Sequence, residues 1–394
     1  MVRRRILYLR ILEGVLLLIA LWVVLPLIAS LLMSPKFLSR DDFLEYWAAG
    51  RLNAAGQNPY DPNLTYPLQR AMGHMQGMMM WNPPWTLALT MPLGFLPYPV
   101  ARTLWFFLQL VAVVWSSDRI GHLTQGGTSR RWIAWFIGLT FYPFMSGMND
   151  GQVTPIILIG AVGAFIWIKR YPLLAGATAA LLTIKPHTNY LILLALVVWA
   201  FTQKRWSFFL GFGGALLGSL AIAMAFNPAV VIQYLNAWTR YPPTEWATPT
   251  IGGLLRLCLG PEHFALQLVG SLVGLSWLAF YGARRRNRWV WEEEFPLIAV
   301  VSPVTAAYGW ISDLLPALIG LLPAVLRLLV APRSRTAMVL LASYGLLQAI
   351  VFITAFDQLW YFWLGPALLL WFLLARRHLG GSLLRREDAD ETAH

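Results

Sequence analysis

The sequence predicts an all-α membrane protein that crosses the bilayer about twelve times, with interfacial helices in its first outer loop. Three observations carry that prediction. Of the 394 residues, 58% are hydrophobic and only 12% charged. Apolar runs of about 18 residues or more recur along the chain, the length a helix needs to cross a roughly 30 Å hydrocarbon core. Backbone amides find no water there and must bond within their own segment, and these runs are too long for barrel strands, so a helical bundle follows. The formal charge of +12 arrives in short clusters between apolar runs. That is the positive-inside pattern, and it argues against a nucleic-acid partner.

Placing the basic clusters on the cytosolic side orders the elements. The clusters are Arg3 to Arg10, Arg119 with Arg130 and Arg131, Lys169 and Arg170, Lys204 and Arg205, Arg284 to Arg288, Arg327 to Arg335, and Arg376 to Arg386. They place 22 of the 30 basic residues inside and six outside, leaving Arg102 and Lys185 at membrane depth. Spans then fall near 14–33, 98–117, 132–147, 153–168, 172–186, 188–203, 206–226, 264–282, 295–312, 314–331, 336–355 and 358–375, with both termini cytosolic. The start reads as an uncleaved signal anchor, because no small-residue cleavage site follows Arg3, Arg4 and Arg5. A single Cys258 rules out an internal disulfide framework. Residues 1–379 form one membrane domain, and 380–394 a polar cytosolic tail of disordered composition.

Two large outer loops, 34–97 and 227–263, interrupt otherwise short connections, and long loops on a rigid scaffold commonly carry sites. In the first, Ser39 reads as a helix N-cap, with Phe43, Tyr46, Trp47, Gly50 and Ala54 on one face of an amphipathic surface helix ending near Gly56. The apolar segment Pro84 to Pro97 is too short to cross at about 1.5 Å per residue, so it reads as a helix in the outer interface. The second loop offers Arg240, Tyr241, Glu245 and Trp246 as a mixed charged and aromatic set, in a partly ordered lid.

The chemistry concentrates at the outer boundary. Asp41 and Asp42 form a carboxylate pair directly after the first span, a candidate catalytic base or simply acids complementing a helix dipole. Lys185 ends the apolar run from Pro172, where an ionisable group is costly and often functional; with His187 it can bind a phosphate, or it can snorkel to headgroups. In the short turn Asn149-Asp150-Gly151-Gln152, Asp150 can pair with Lys185, or the run is simply good turn chemistry. Most of the 20 tryptophans read as interfacial belts. Asp313 and Asp357 fall at outer helix ends and read as solvated caps. His74 sits in a Met-rich loop, and no His, Cys or Asp cluster has metal spacing, so neither a metal nor a cofactor is expected.

Asp42-Phe43, Tyr46-Trp47 and Ala49-Gly50, followed by Asn58-Pro59-Tyr60-Asp61-Pro62, resemble the pattern of glycosyltransferase family 87. Asn82-Pro83-Pro84-Trp85, Pro92-Leu93, Leu96-Pro97, Ala101, Leu104-Trp105, Gly151-Gln152, Ala175-Gly176 and Lys185-Pro186 continue it over roughly residues 40–190. The resemblance implies a membrane enzyme of the GT-C superfamily that takes a sugar, often mannose, from a polyprenyl-phosphate donor to a glycolipid or glycan acceptor. It places the first-loop acid on Asp42, with Asp41 as runner-up because the double acid leaves the register open. It also implies an outer-face site in the cell membrane and the lipid-linked donor as a substrate, its phosphate on Lys185, His187 and Arg240 and its sugar, or the acceptor, on Asp150, Gln152, Tyr46, Trp85 and Glu245. Trp81 and Trp85 are then the tryptophans best placed to stack on the sugar, and the second-loop set Arg240, Tyr241, Glu245 and Trp246 can contact a sugar or pyrophosphate. The competing expectation is a lipid or solute transporter using the same outer carboxylates, although transporters usually set polar groups near the midplane on broken helices.

Overall fold

The structure, a computed structural model, describes residues 25–124, 130–331, 334–354, 358–380 and 383–385. These residues are helical between loops, and one isolated antiparallel bridge pairs Thr124 with Leu384. Among the described residues six stretches are long and apolar enough to cross a membrane: Tyr98–Leu123, Trp206–Phe226, Phe264–Arg285, Ile311–Val330, Arg335–Thr354 and Gln358–Leu379. Thr154–Trp167, Pro172–Ile184 and Pro186–Thr202 are apolar but shorter. The chain is thus a multi-pass helical membrane protein. Most of the expected 14–33 span, the Arg3 to Arg10 cluster, Asp357 and most of the tail lie outside the described residues.

Two expected spans are broken. Residues 132–147 divide at Phe141, whose ψ of 116° is extended, into Arg131–Thr140 and Tyr142–Asn149. Pro143 has no N–H with which to continue the ladder and suits the first turn of a new helix. Residues 295–312 are helical only to Val304; after Pro303 the chain runs irregularly to the 3-10 segment Ile311–Ala317. That break brings Asp313 to the site described below.

Burial separates axis from periphery. In Ile311–Val330, 83% of the apolar window is buried within the protein, against 17% for Trp206–Phe226. Leu210 and Leu217 on the latter are 71% and 68% exposed, as lipid-facing residues would be. Small residues set the closest approaches: a Cβ at Gly176 or Gly211 would collide with the backbone of Phe208 or Leu173, so Pro172–Ala179 and Trp206–Phe226 meet backbone to backbone.

The first-loop helix differs from the surface helix expected. It spans Phe43–Ala54 and buries nine of its twelve residues, so it lies inside protein rather than exposing a polar face. It also starts later. Ser39 closes the single turn Pro35–Leu38, and Asp42 is the N-cap. Its end before Gly56, with φ at +70°, agrees with expectation. The segment expected in the interface forms the 3-10 turn Pro84–Thr86 and the helix Leu87–Gly94, packed on the first-loop helix. A Cβ at Gly50 would lie 2.7 Å from the Thr90 carbonyl oxygen, and backbone cannot yield as a side chain can. Gly50→Ala is therefore expected to cost about 1–3 kcal/mol. A thermal melt in detergent that overlays the wild type would refute this.

The loop 227–263, expected on the outer side, is ordered, as the helices Val230–Arg240 and Ile251–Leu259. Arg256 fastens it by donating to the carbonyls of Thr244 and Pro261 and to Gln267 Oε1. Aromatic contacts bind it to the first loop: Tyr60 with Tyr234 at 5.2 Å, and Trp81 with Trp238 and Trp246 at 5.6 and 5.5 Å.

Candidate active site

One stripe of the long helix Tyr98–Leu123 builds the floor. Tyr98, Arg102, Trp105 and Gln109 are spaced four, three and four residues apart, so they share a helix face. Tyr98 donates a short hydrogen bond to Asp41, and Arg102 Nε pairs with Asp41 Oδ2 at 2.8 Å, both partners fully buried. Arg102 also donates to the carbonyls of Met148 and Asn149, Trp105 to that of Gly151, and Gln109 to that of Gln152. The stripe therefore fixes Asp41 and the 148–152 turn together. Gly151, with φ at +67°, has no alternative: a Cβ there would run into Asp41 Oδ1 and the start of the loop helix. Asp41 Oδ1 accepts the Phe43 N–H at 3.1 Å and so caps that helix.

Asp42 is then set differently from its neighbour. Its backbone N–H donates to the Asp150 carbonyl at 2.7 Å, which ties the loop helix to the same turn. Its side chain is only partly buried and accepts a short hydrogen bond from Gln152 Nε2. The other end of that amide, Oε1, accepts from Lys185 Nζ at 2.7 Å. An ammonium can only donate, so Lys185 selects the amide orientation that presents N–H to Asp42. Lys185 also pairs with Asp313 Oδ1 at 2.9 Å, and Asp313 Oδ2 accepts the Trp310 N–H. Thr188 and Asn189 hold the Lys185 carbonyl, and Asn82 holds that of Ile184, so the cation stands on a braced turn.

Burial raises four carboxyls here outside the membrane spans, Asp41, Asp42, Glu45 and Asp150. Asp42 is pushed up to about 7, first by burial and then by the charge of Asp150, against the pull of Lys185 and Gln152. Asp150 rises to about 6 by burial, opposed by Asn149 and Arg40. Asp41 is raised by burial too, with Arg102 pulling the other way. A partly open carboxyl that titrates near neutrality can take a proton from a hydroxyl, and a neighbouring ammonium can meet an anion.

The sequence model of glycosyltransferase family 87 matches residues 81–307. The chain belongs to glycosyltransferase family 87. No curated protein and no solved structure matches it. The matched region of this family 87 protein contains Asp150, Gln152, Lys185 and Arg240, and starts after Asp42. Membership makes the protein a membrane glycosyltransferase, with a sugar donor and an acceptor as its substrates.

In the family 87 chain, some expected residues converge and others do not. Asp42, Gln152 and Lys185 form one line of hydrogen bonds. Asp150 does not pair with Lys185; its carboxylate accepts from Asn149, Ser146 and Gln358. Lys185 is paired inside the protein rather than snorkelling. Asp313 is no solvated cap, since it is 2% exposed and is the partner of Lys185. Tyr46 is buried against Trp105, so its ring does not present an open face to a sugar. Trp85 is half-buried, and its indole N–H is buried without a partner. His187 is exposed beside Lys185, while Arg240 and Glu245 are exposed on the second loop and take no part in this line. Among the described residues no three His, Cys, Asp or Glu side chains converge as metal ligands. Sequence reasoning passed over Tyr98, Gln109, Glu45 and Gln358; the first two were readable as members of the polar stripe.

Proposed function

We propose that the protein moves a sugar, mannose first among candidates, from a polyprenyl-phosphate donor to a hydroxyl of a glycolipid or glycan acceptor on the outer face of the cell membrane. The observation that carries this reading is the line Asp42–Gln152–Lys185, which sets a carboxylate and a cation at the two ends of one amide. Asp42 takes the acceptor's hydroxyl proton as its oxygen attacks the anomeric carbon. A new C–O bond forms there with inversion, and the bond to the phosphate oxygen breaks, its electron pair leaving with the lipid phosphate. Lys185 faces the charge that develops on that phosphate, with His187 at its side and Arg240 as a further cation from the second loop. One carboxylate suffices for a single inverting displacement to an acceptor that brings its own hydroxyl.

Gln152 and Asp150 belong on this reading to the frame that orients Asp42 rather than to the sugar pocket, while Trp85 and Glu245 remain the candidates for sugar or acceptor contact. The test is transfer by purified protein in lipid nanodiscs, offered a panel of labelled polyprenyl-phosphate sugars, mannose and arabinofuranose included, with a glycolipid acceptor extract. Labelled product of inverted configuration from one donor supports the reading. No product from any polyprenyl-phosphate donor, alongside product from a nucleotide sugar, would overturn it.

A further inference from the structure

The first-loop helix is closed on almost every side, and the places where it opens are informative. From Asp42 to Gly50 only Asp42 and Glu45 are partly exposed; Phe43, Leu44 and Tyr46 through Gly50 are buried. Residues three apart on a helix are neighbours on one face. The opening of this stretch to solvent, at the Asp42 end of the line, is therefore bordered by two carboxyl groups. We propose that Glu45 is a catalytic-site partner of Asp42: the two carboxyls hold one proton between them, Glu45 keeping it and Asp42 standing as the carboxylate, so that an anionic donor can enter the opening. The inference rests on the transfer reaction proposed above.

The charges around Glu45 explain why one proton stays. On its own helix it faces Asp42 and Tyr46. From other elements it meets Lys185 and, on the helix Pro62–Ala71, Tyr66. Asp313 lies beyond Tyr46 and Asp150 beyond Asp42. Lys185 is already neutralised by Asp313 at 2.9 Å, and Arg102 by Asp41 at 2.8 Å. With both of these cations committed, a second full negative charge beside Asp42 has no counter-ion among those neighbours. Asp42 receives the Gln152 N–H, which favours the ionised form there, and burial raises Glu45 well above its ordinary range. Pairs of carboxyls pushed apart in this way divide into a base and an acid. Ionised, Glu45 would repel the donor phosphate from the opening it shares with Asp42.

The test measures kcat and the donor KM from about pH 5 to about 9 for the wild type, Glu45→Gln and Glu45→Ala. For the wild type, KM is expected to rise about tenfold or more on the alkaline side. In Glu45→Gln, which mimics the neutral acid, KM should stay within about threefold across the range while the acid limb of kcat persists. Glu45→Ala tells whether the loss of shape alone changes KM. An alkaline rise undiminished in Glu45→Gln, or loss of transfer at all pH values by a folded Glu45→Gln, overturns the proposal. Infrared difference spectra of the purified protein supply a readout that needs no donor. The carbonyl band of a protonated carboxylic acid should be present in the wild type at neutral pH and diminished in Glu45→Gln. If no polyprenyl-phosphate donor is used, the transfer reading fails while the band still reports on Glu45; if transfer proceeds and the band is unchanged in Glu45→Gln, Glu45 does not hold the proton.

Discussion

Asp42→Asn is expected to abolish sugar transfer and leave a folded protein, whereas Asp41→Asn is expected to lose the fold. General-base catalysis contributes about 10²- to 10⁴-fold, and that is the loss anticipated for Asp42→Asn in the donor panel. Its stability should move the other way. The Asp42 carboxyl titrates at about 7 in the folded protein, above its ordinary value of 3.8, so the stability it contributes is full at acid pH and is lost as pH rises through about 7. The Asn variant should therefore melt higher than the wild type above about pH 7 and level with it at acid pH. Asp41 is the sole carboxylate paired with buried Arg102 among the described residues. Removing one partner of a buried pair costs about 3–5 kcal/mol. A protein that stays folded but inactive as Asp41→Asn, and active as Asp42→Asn, would exchange the two roles.

The adjacent aspartates look alike in sequence, and what separates them lies far along the chain. Asp41 owes its burial to Tyr98 and Arg102, and Asp42 owes its amide partner to a turn more than a hundred residues away. Asp42 and Lys185 stand out in the sequence as candidates because each is an unusual residue for its place: an acid after a span, and a cation within an apolar run. Asp313 does not, since an acid at a helix end is ordinary until the break at 305–310 folds it inward onto Lys185. The helical, membrane-spanning character was legible for the reason that lipid leaves the backbone no other choice. The positions of the breaks were less so. Hydropathy runs straight through Pro143 and Pro303, because a helix broken inside protein stays apolar across its interruption. The first-loop helix misled for a related reason. Its Tyr46 and Trp47 suit an interface as well as a core, and only contact with Leu87–Gly94 and the stripe from Tyr98 decides between them.

Lys185→Met is the second large effect, and alone it would be ambiguous. Loss of a preorganised charge facing the departing phosphate is expected to lower transfer by about 10²- to 10³-fold. The same substitution strands Asp313, which is 2% exposed, at an expected cost of about 3–5 kcal/mol. A fall in activity could then be no more than a fall in folded protein. The double variant Lys185→Met with Asp313→Asn separates the two. Asparagine keeps an acceptor for the Trp310 N–H and carries no charge to strand. The double variant should recover most of the lost melting temperature and none of the lost transfer. Its acid limb should also move upward, because Gln152 no longer has an ammonium fixing its N–H on Asp42. Recovery of transfer together with stability would make Lys185 a structural counter-ion for Asp313 and remove it from the phosphate. Recovery of stability alone leaves the ammonium with a task that only the substrate can reveal.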